Sequence, residues 1–349
     1  RHEQLDRLDR ILNDASASTV VISVIAGAGG IGKTWLALRW AYRHAGEFPD
    51  GHLFVDLCGF SPDGQPMDPA VALRGFLTTL GVEPGRIPAD AHAQAALLRS
   101  LLADKRMLLV LDNAADTSQV VPLLPGGPGC SVVVTSRQQM VGLITGYSAH
   151  YVPLDVLSGA EARALLTDRL GAARVAAEPA AVTELSGFCG GFPLALSIIA
   201  SHAAIRPHLS LADLAAELRD LGLGALDDVE PTASLPSVLS WSRDALTTDE
   251  ATAFTLLGIA PGPHICLSAA ASLIGLSLAA TRTVLHRLEQ ASLIWQDIHG
   301  RYHMHDLIRR YAADNAHGDT RQSALRRVLD FYAHTAYAAD RLMHPQRKP

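Results

Sequence analysis

Val20-Val-Ile-Ser-Val-Ile-Ala-Gly-Ala-Gly-Gly-Ile-Gly-Lys33-Thr34 is the stretch whose reading decides the fold. Val20 to Ala26 is an apolar, β-branched run of strand length. Gly27 to Thr34 then matches GxxxxGK[ST] at every fixed position. Trp35 to His44 has helical composition. A strand, a glycine-rich loop and a helix in this order make a phosphate cradle. The glycines let the backbone wrap an anion, with the N–H groups of Gly27, Gly29, Gly30, Ile31 and Gly32 turned inward. The helix beginning near Lys33 adds its positive end. The Lys33 ammonium can reach β- and γ-phosphates, and the Thr34 hydroxyl is a hard oxygen ligand for Mg²⁺. The expected cofactors are therefore ATP or ADP with Mg²⁺.

Met107-Leu-Leu-Val-Leu-Asp112 is the partner signal. A strand ending in an acid puts a carboxylate at the carboxyl edge of the sheet, where Asp112 joins Thr34 as a metal ligand. Asn113 stands where many P-loop ATPases carry a second acid. An amide can position water but cannot accept its proton, so slow hydrolysis is expected. Val132-Val-Val-Thr-Ser-Arg137 is a further strand. From pattern alone Arg137 is open between a γ-phosphate sensor and a surface salt bridge.

Working outward, His52 to Leu57, Ser131 to Thr135 and Tyr151 to Val156 are more short apolar runs. Helical stretches over Pro69 to Leu80 and Ala89 to Ala103 lie between strands. This alternation predicts an α/β fold, a parallel sheet with helices on both faces, over residues 1–156. Ser158-Gly-Ala-Glu161 is a capping box that opens a helix, and Gly171 can close it. With Ala180 to Phe188, Pro193 to Ile205 and Leu211 to Leu221 it makes a helical bundle over 157–232. Gly222 to Thr232 reads as a linker. Thr247-Thr-Asp-Glu250 is a second capping box. Helices over Glu250 to Ile259, Leu267 to Ile274 and Leu278 to Gln290 precede a hairpin at Leu293 to Gln296 and Arg301 to Met304. Three helices and a hairpin predict a winged helix over 233–316. Arg321 to Met343 is a last helix, within a terminal segment 317–349.

Composition narrows the function. The 349 residues carry a formal charge of −6, too mild for a chain built to coat nucleic acid or an anionic membrane. From Pro236 to Asn315 there are six Arg/Lys against seven Asp/Glu, a net of −1, so the winged unit is expected to be a lid rather than a groove reader. No direct nucleic-acid binding and no membrane contact are expected. The four cysteines form no CxxC pair, and no basic start leads into an apolar signal core, so a cytoplasmic protein is expected. The abrupt start on Arg1-His2-Glu3 reads as a piece of something longer.

These residues resemble the NB-ARC class of signal-transducing ATPases, which includes plant disease-resistance proteins, the apoptosome adaptor and many actinobacterial regulators. GAGGIGKT is very close to the cradle of that class; LLVLDN and VVVTSR look like its second-acid and sensor strands. Gly190-Gly-Phe-Pro193-Leu-Ala-Leu196 looks like its GxPLAL motif, Met304-His305-Asp306 is its MHD motif, and Arg1-His2-Glu3 resembles the tail of hhGRxE. The resemblance implies that Arg137 senses the γ-phosphate, that Pro193 packs near adenine, and that His305 contacts the β-phosphate of ADP. It also implies that Arg1 lines the nucleotide pocket. Taken alone, Pro193 is more often a helix-start proline and His305 more often an ordinary exposed histidine. The function implied is a switch, closed with ADP and open with ATP, with weak ATPase activity. It would control an attached DNA-binding effector under a helical-repeat sensor, both outside this segment, and would self-oligomerise when ATP-bound. The rival classes are a continuously hydrolysing motor and a nucleotide-independent scaffold.

Overall fold

The computed structural model describes residues 1–13, 20–60, 65–344 and 346. Five strands, β1 (Val21–Ala26), β2 (His52–Asp56), β3 (Leu108–Ala114), β4 (Ser131–Ser136) and β5 (His150–Pro153), form one sheet in the order β2-β3-β4-β1-β5. Every pairing is parallel. Successive side chains of a strand point to opposite faces, and here both faces are apolar. Leu108 and Val110 enter one core while Leu109 and Leu111 enter the other. Val133 and its neighbours Val132 and Val134 divide the same way.

The helices that cover these faces are α1 (His2–Asn13), α2 (Lys33–Arg43), α3 (Pro69–Thr79), α4 (Ala91–Leu102), α5 (Thr117–Val120) and α6 (Val141–Tyr147). Leu8, Leu36 and Trp40 from α1 and α2 lie on one side of the sheet; Leu73, Phe76 and Leu98 from α3 and α4 lie on the other. Asp68 and Asp90 cap α3 and α4 by accepting from Ala70 N and Ala93 N. The parallel α/β sheet with helices on both faces stands as expected.

Beyond β5 come α7 (Gly159–Leu170), α8 (Ala172–Ala177), α9 (Pro179–Phe188), α10 (Pro193–Ile205) and α11 (Leu211–Leu221). The Ser158/Glu161 capping box is present in full, and Gly171 closes α7. Within the expected linker 222–232, the first five residues are tied down while 227–232 are exposed. Gly222–Leu226 is a short 3₁₀ turn whose Leu223 and Leu226 are buried in the same core as α9 to α11. Glycine and proline there make turns, but the two leucines tie the segment down.

The remaining elements are α12 (Leu235–Asp244), α13 (Thr248–Gly258), β6 (His264–Ile265), α14 (Leu267–Ile274), α15 (Leu278–Gln290), β7 (Trp295–Gln296), β8 (Tyr302–His303), α16 (Asp306–Asp314) and α17 (Gly318–Met343). The hairpin β7–β8 is antiparallel, and β6 pairs with β8 to make a small three-stranded sheet. The Thr247/Glu250 capping box opens α13. One apolar core runs continuously from Leu8 of α1 to Val328 of α17. Among the described residues no single helix is long and apolar enough to cross a membrane.

Candidate nucleotide-binding site

β1 delivers the chain to the carboxyl edge of the sheet, and Gly27 to Gly32 turn it into α2. Gly32 precedes the helix at φ 93°, a left-handed geometry that favours glycine. Gly27 is required for space, since a Cβ there would lie 2.5 Å from Leu154 O, and a Cβ on Gly29 would lie 2.8 Å from Arg137 Nη1. Lys33 Nζ donates to the carbonyls of Gly27 and Ala28, each at 2.8 Å. Burial, and then the nearby Arg137 charge, bring the Lys33 pKa down to about 7 against the opposing pull of Asp112. A half-buried lysine and a buried arginine facing one carboxylate are an electrostatic deficit that a phosphate group would fill.

Asp112, at the end of β3, is 5% exposed. Thr34 Oγ1 donates to its two oxygens at 2.9 and 3.0 Å, and Thr135 Oγ1 to one of them at 2.6 Å. Burial raises the Asp112 pKa, and the two threonine bonds work against that rise. The hydroxyl of Thr34 and the carboxylate of Asp112 thus converge as an all-oxygen pair, which fits Mg²⁺ rather than a softer metal.

Arg137 follows β4 and is only 7% exposed, so the surface salt-bridge reading falls. Its Nη1 donates to Val238 O at 2.7 Å and to Ser242 Oγ at 2.5 Å, both on α12. Its guanidinium carbon lies 4.9 Å from the Phe60 ring centre and 5.7 Å from that of Trp241. Burial brings its pKa down to about 10. Asn113 has φ 53°. Its N–H donates to Thr135 Oγ1 at 2.9 Å, and its side-chain amide donates to Phe60 O at 3.3 Å and Asp56 Oδ1 at 3.4 Å.

The second rim comes from later in the chain. Pro193 opens α10 and sits against the loop: a Cβ on Gly32 would lie 3.9 Å from its ring. Leu194 N donates to Gly30 O at 3.2 Å. Pro193 thus starts a helix, as its pattern predicts, and lies beside the loop. Arg1 Nη2 donates to Ile31 O at 3.0 Å, which puts Arg1 beside the cradle. His305 immediately precedes α16. Its Nε2 lies 3.2 Å from Asp155 Oδ1, and its ring meets Phe192 edge-on at 5.6 Å and Trp295 at 4.4 Å. Asp155 follows Leu154, whose N–H bonds Ala26 O at 2.8 Å beside the start of the loop. His305 thus joins the C-terminal part to the edge of the cradle.

Sequence reading missed Asp56, Thr135 and Asp155 as parts of this rim. Asp56 ends a strand in HLFVD as Asp112 does in LLVLD, a signal that was there to be used.

A parallel sheet in the order β2-β3-β4-β1-β5, with a lysine-bearing glycine loop between β1 and α2, defines a P-loop NTPase-like protein. A family model described as NB-ARC domain matches residues 1–175. The chain belongs to the NB-ARC domain family. It is 41% identical over 339 residues to the regulatory protein AfsR of Streptomyces coelicolor, covering 94% of this chain and 34% of that protein. AfsR of Streptomyces griseus is likewise 41% identical over 339 residues, covering 95% and 34%. The chain thus spans about a third of the length of the curated relatives it matches. Among solved structures, the Walker-type ATPase PABY2304 of Pyrococcus abyssi shares the fold at a TM-score of 0.59 and 10% identity, over 89% of this chain and 95% of that one.

Proposed function

We propose that the chain is a nucleotide-dependent molecular switch, closed with ADP and open with ATP, which slow ATP hydrolysis returns to the closed state. The observation that carries this reading is the double placement of Arg137. Its Nη1 lies beside Gly29 of the cradle and at the same time holds Val238 and Ser242 of α12. A γ-phosphate in the cradle draws the same guanidinium toward itself, so its binding weakens the hold on α12.

In this reading residues 1–156 bind nucleotide, 157–232 are a helical bundle, 233–316 are a winged-helix lid and 317–349 a connecting helix. The helices α13 to α15 with the sheet β6-β8-β7 support the winged-helix assignment. Lys33 and the loop amides hold the phosphates. Thr34 and Asp112 would hold Mg²⁺, which when bound neutralises phosphate charge. Pro193 packs near adenine, Arg1 lines the pocket, and His305 closes the lid over ADP with Asp155 and Phe192 supporting its ring. The likeness to AfsR, a regulatory protein of Streptomyces, supports a regulatory role, and in this reading the segment works inside a larger actinobacterial transcriptional activator in the cytoplasm. Its DNA-binding effector and helical-repeat sensor lie outside this segment, and the ATP form self-associates. This segment itself binds neither nucleic acid nor membrane.

The test is to denature the purified chain and identify the nucleotide released, then to follow ATP turnover. Bound ADP and turnover far below about 1 s⁻¹, slow on the scale of ordinary enzymes, are expected. A chain that carries and takes up no nucleotide is a scaffold, and one that turns over continuously above that rate is a motor.

A further inference from the structure

The switch reading leaves hydrolysis without a proton acceptor, because Asn113 occupies the position of a second acid. The sheet brings one in from another strand. β2 is the edge strand next to β3, and Asp56 is the register partner of Asp112. Both carboxylates therefore leave the sheet at its carboxyl edge, where open α/β sheets bind their ligands. Asp56 is exposed to solvent, whereas Asp112 is buried and accepts from Thr34 and Thr135.

Asn113 ties Asp56 to the rest of the rim. Its amide donates to Asp56 Oδ1 at 3.4 Å and to Phe60 O at 3.3 Å. Phe60 in turn packs its ring 4.9 Å from the Arg137 guanidinium beside Gly29. Cys58 N donates to Asp56 Oδ1 at 2.8 Å and orients that carboxylate. Acid and amide are thus a hydrogen-bonded pair across β2 and β3, with the acid on the strand that the cradle motif does not include.

We propose that Asp56 is the proton acceptor for ATP hydrolysis, paired with Asn113, which positions the attacking water; the proposal rests on the nucleotide-switch reading above. The water oxygen forms a bond to the γ-phosphorus as the bond from that phosphorus to the β,γ-bridging oxygen breaks. The water proton goes to the Asp56 carboxylate, and ADP leaves with the bond's electron pair. Inorganic phosphate is the other product, and Asp56 then returns its proton to solvent. Hydrolysis is slow in this arrangement because the acid stands on the neighbouring strand instead of directly after Asp112.

The experiment measures single-turnover ATP hydrolysis, nucleotide affinity and melting temperature in wild type, Asp56→Asn and the exchanged pair Asp56→Asn with Asn113→Asp. Asparagine keeps an oxygen for the Cys58 N–H, and Asp56→Ser, which also keeps one, serves if Asp56→Asn does not fold. A positioned general base contributes about 10²–10⁴-fold. The single variant should therefore lose about a hundredfold in hydrolysis rate, with ATP affinity and melting unchanged. The exchanged pair should recover much of the loss, which a merely structural role of Asp56 would not produce. Wild-type turnover in Asp56→Asn overturns the proposal, as does a wild type that binds ATP and does not hydrolyse it. A wild type that takes up no nucleotide instead overturns the switch reading, and this proposal with it.

Discussion

Lys33 carries its charge into a place that resists charge. With its pKa brought down to about 7 by burial and by Arg137, it gains most from a ligand that returns the missing negative charge. Lys33→Ala should abolish uptake of both ATP and ADP. A site filled at about 100 times its Kd stabilises by about 2.7 kcal/mol, so wild type should melt higher with nucleotide while the variant should not respond. Equal responses in calorimetry would refute this. His305 works differently: in the switch reading it belongs to the lid, and it meets Asp155 beside the cradle. Burial lowers its pKa from 6.5 against the pull of Asp155 and Asp306, the two carboxylates that face it. Just below pH 6.5 the unfolded chain therefore takes up a proton that the folded chain refuses. Stability falls as pH drops through that window and is regained above it. The difference in urea midpoint between wild type and His305→Gln, followed from about pH 7.5 downward, should show that slope in wild type alone. His305→Ala should also release a fluorescent ADP analogue faster, by roughly ten- to a hundredfold for a charge-assisted bond. An unchanged release rate would reduce His305 to an ordinary half-buried histidine.

At the scale of the element, α12 is the part that Arg137 holds. Ser242→Ala removes one of the two acceptors on that helix and leaves the cradle intact. ADP release should quicken by about tenfold while ATP affinity rises, since the γ-phosphate then meets less competition for Arg137, measured by stopped-flow displacement. The capping box at Ser158 gives a purely structural comparison: Ser158→Ala should cost about 1 kcal/mol of stability in urea titration with no change in nucleotide affinity. The elements also show what a sequence can reveal. The five parallel strands, both capping boxes and the cradle are legible because each is a local pattern of burial, φ and end-group chemistry. The strand β6 is not, because His264–Ile265 is too short to show any alternation. The helix α12 is masked by its proline at the second position and by the turn-rich residues before it. The Asp56–Asn113 pair spans 57 residues and exists only because β2 lies beside β3, a fact of topology. Composition misleads at Gly222–Leu226, where two leucines outweigh the glycines around them.

For the whole molecule, the switch reading expects two shapes. Small-angle scattering of the ADP and ATP forms, the latter in the Asp56→Asn background that preserves ATP, should give a larger radius of gyration with ATP. Identical curves at a concentration that excludes self-association would leave no opening to explain. The continuous core from Leu8 to Val328 sets the terms of that opening. A lid that swings away from such a core leaves apolar surface behind it and must cross a barrier made of packing, not only of phosphate bonds. Such a device has memory. In the switch reading, excursions in the ATP to ADP ratio shorter than the crossing time would not carry it over the barrier, and only a sustained change, or a partner that covers the newly bared surface, would hold it on the other side. The chain would then act as an integrator of its nucleotide supply, with a response that lags on the way up and again on the way down.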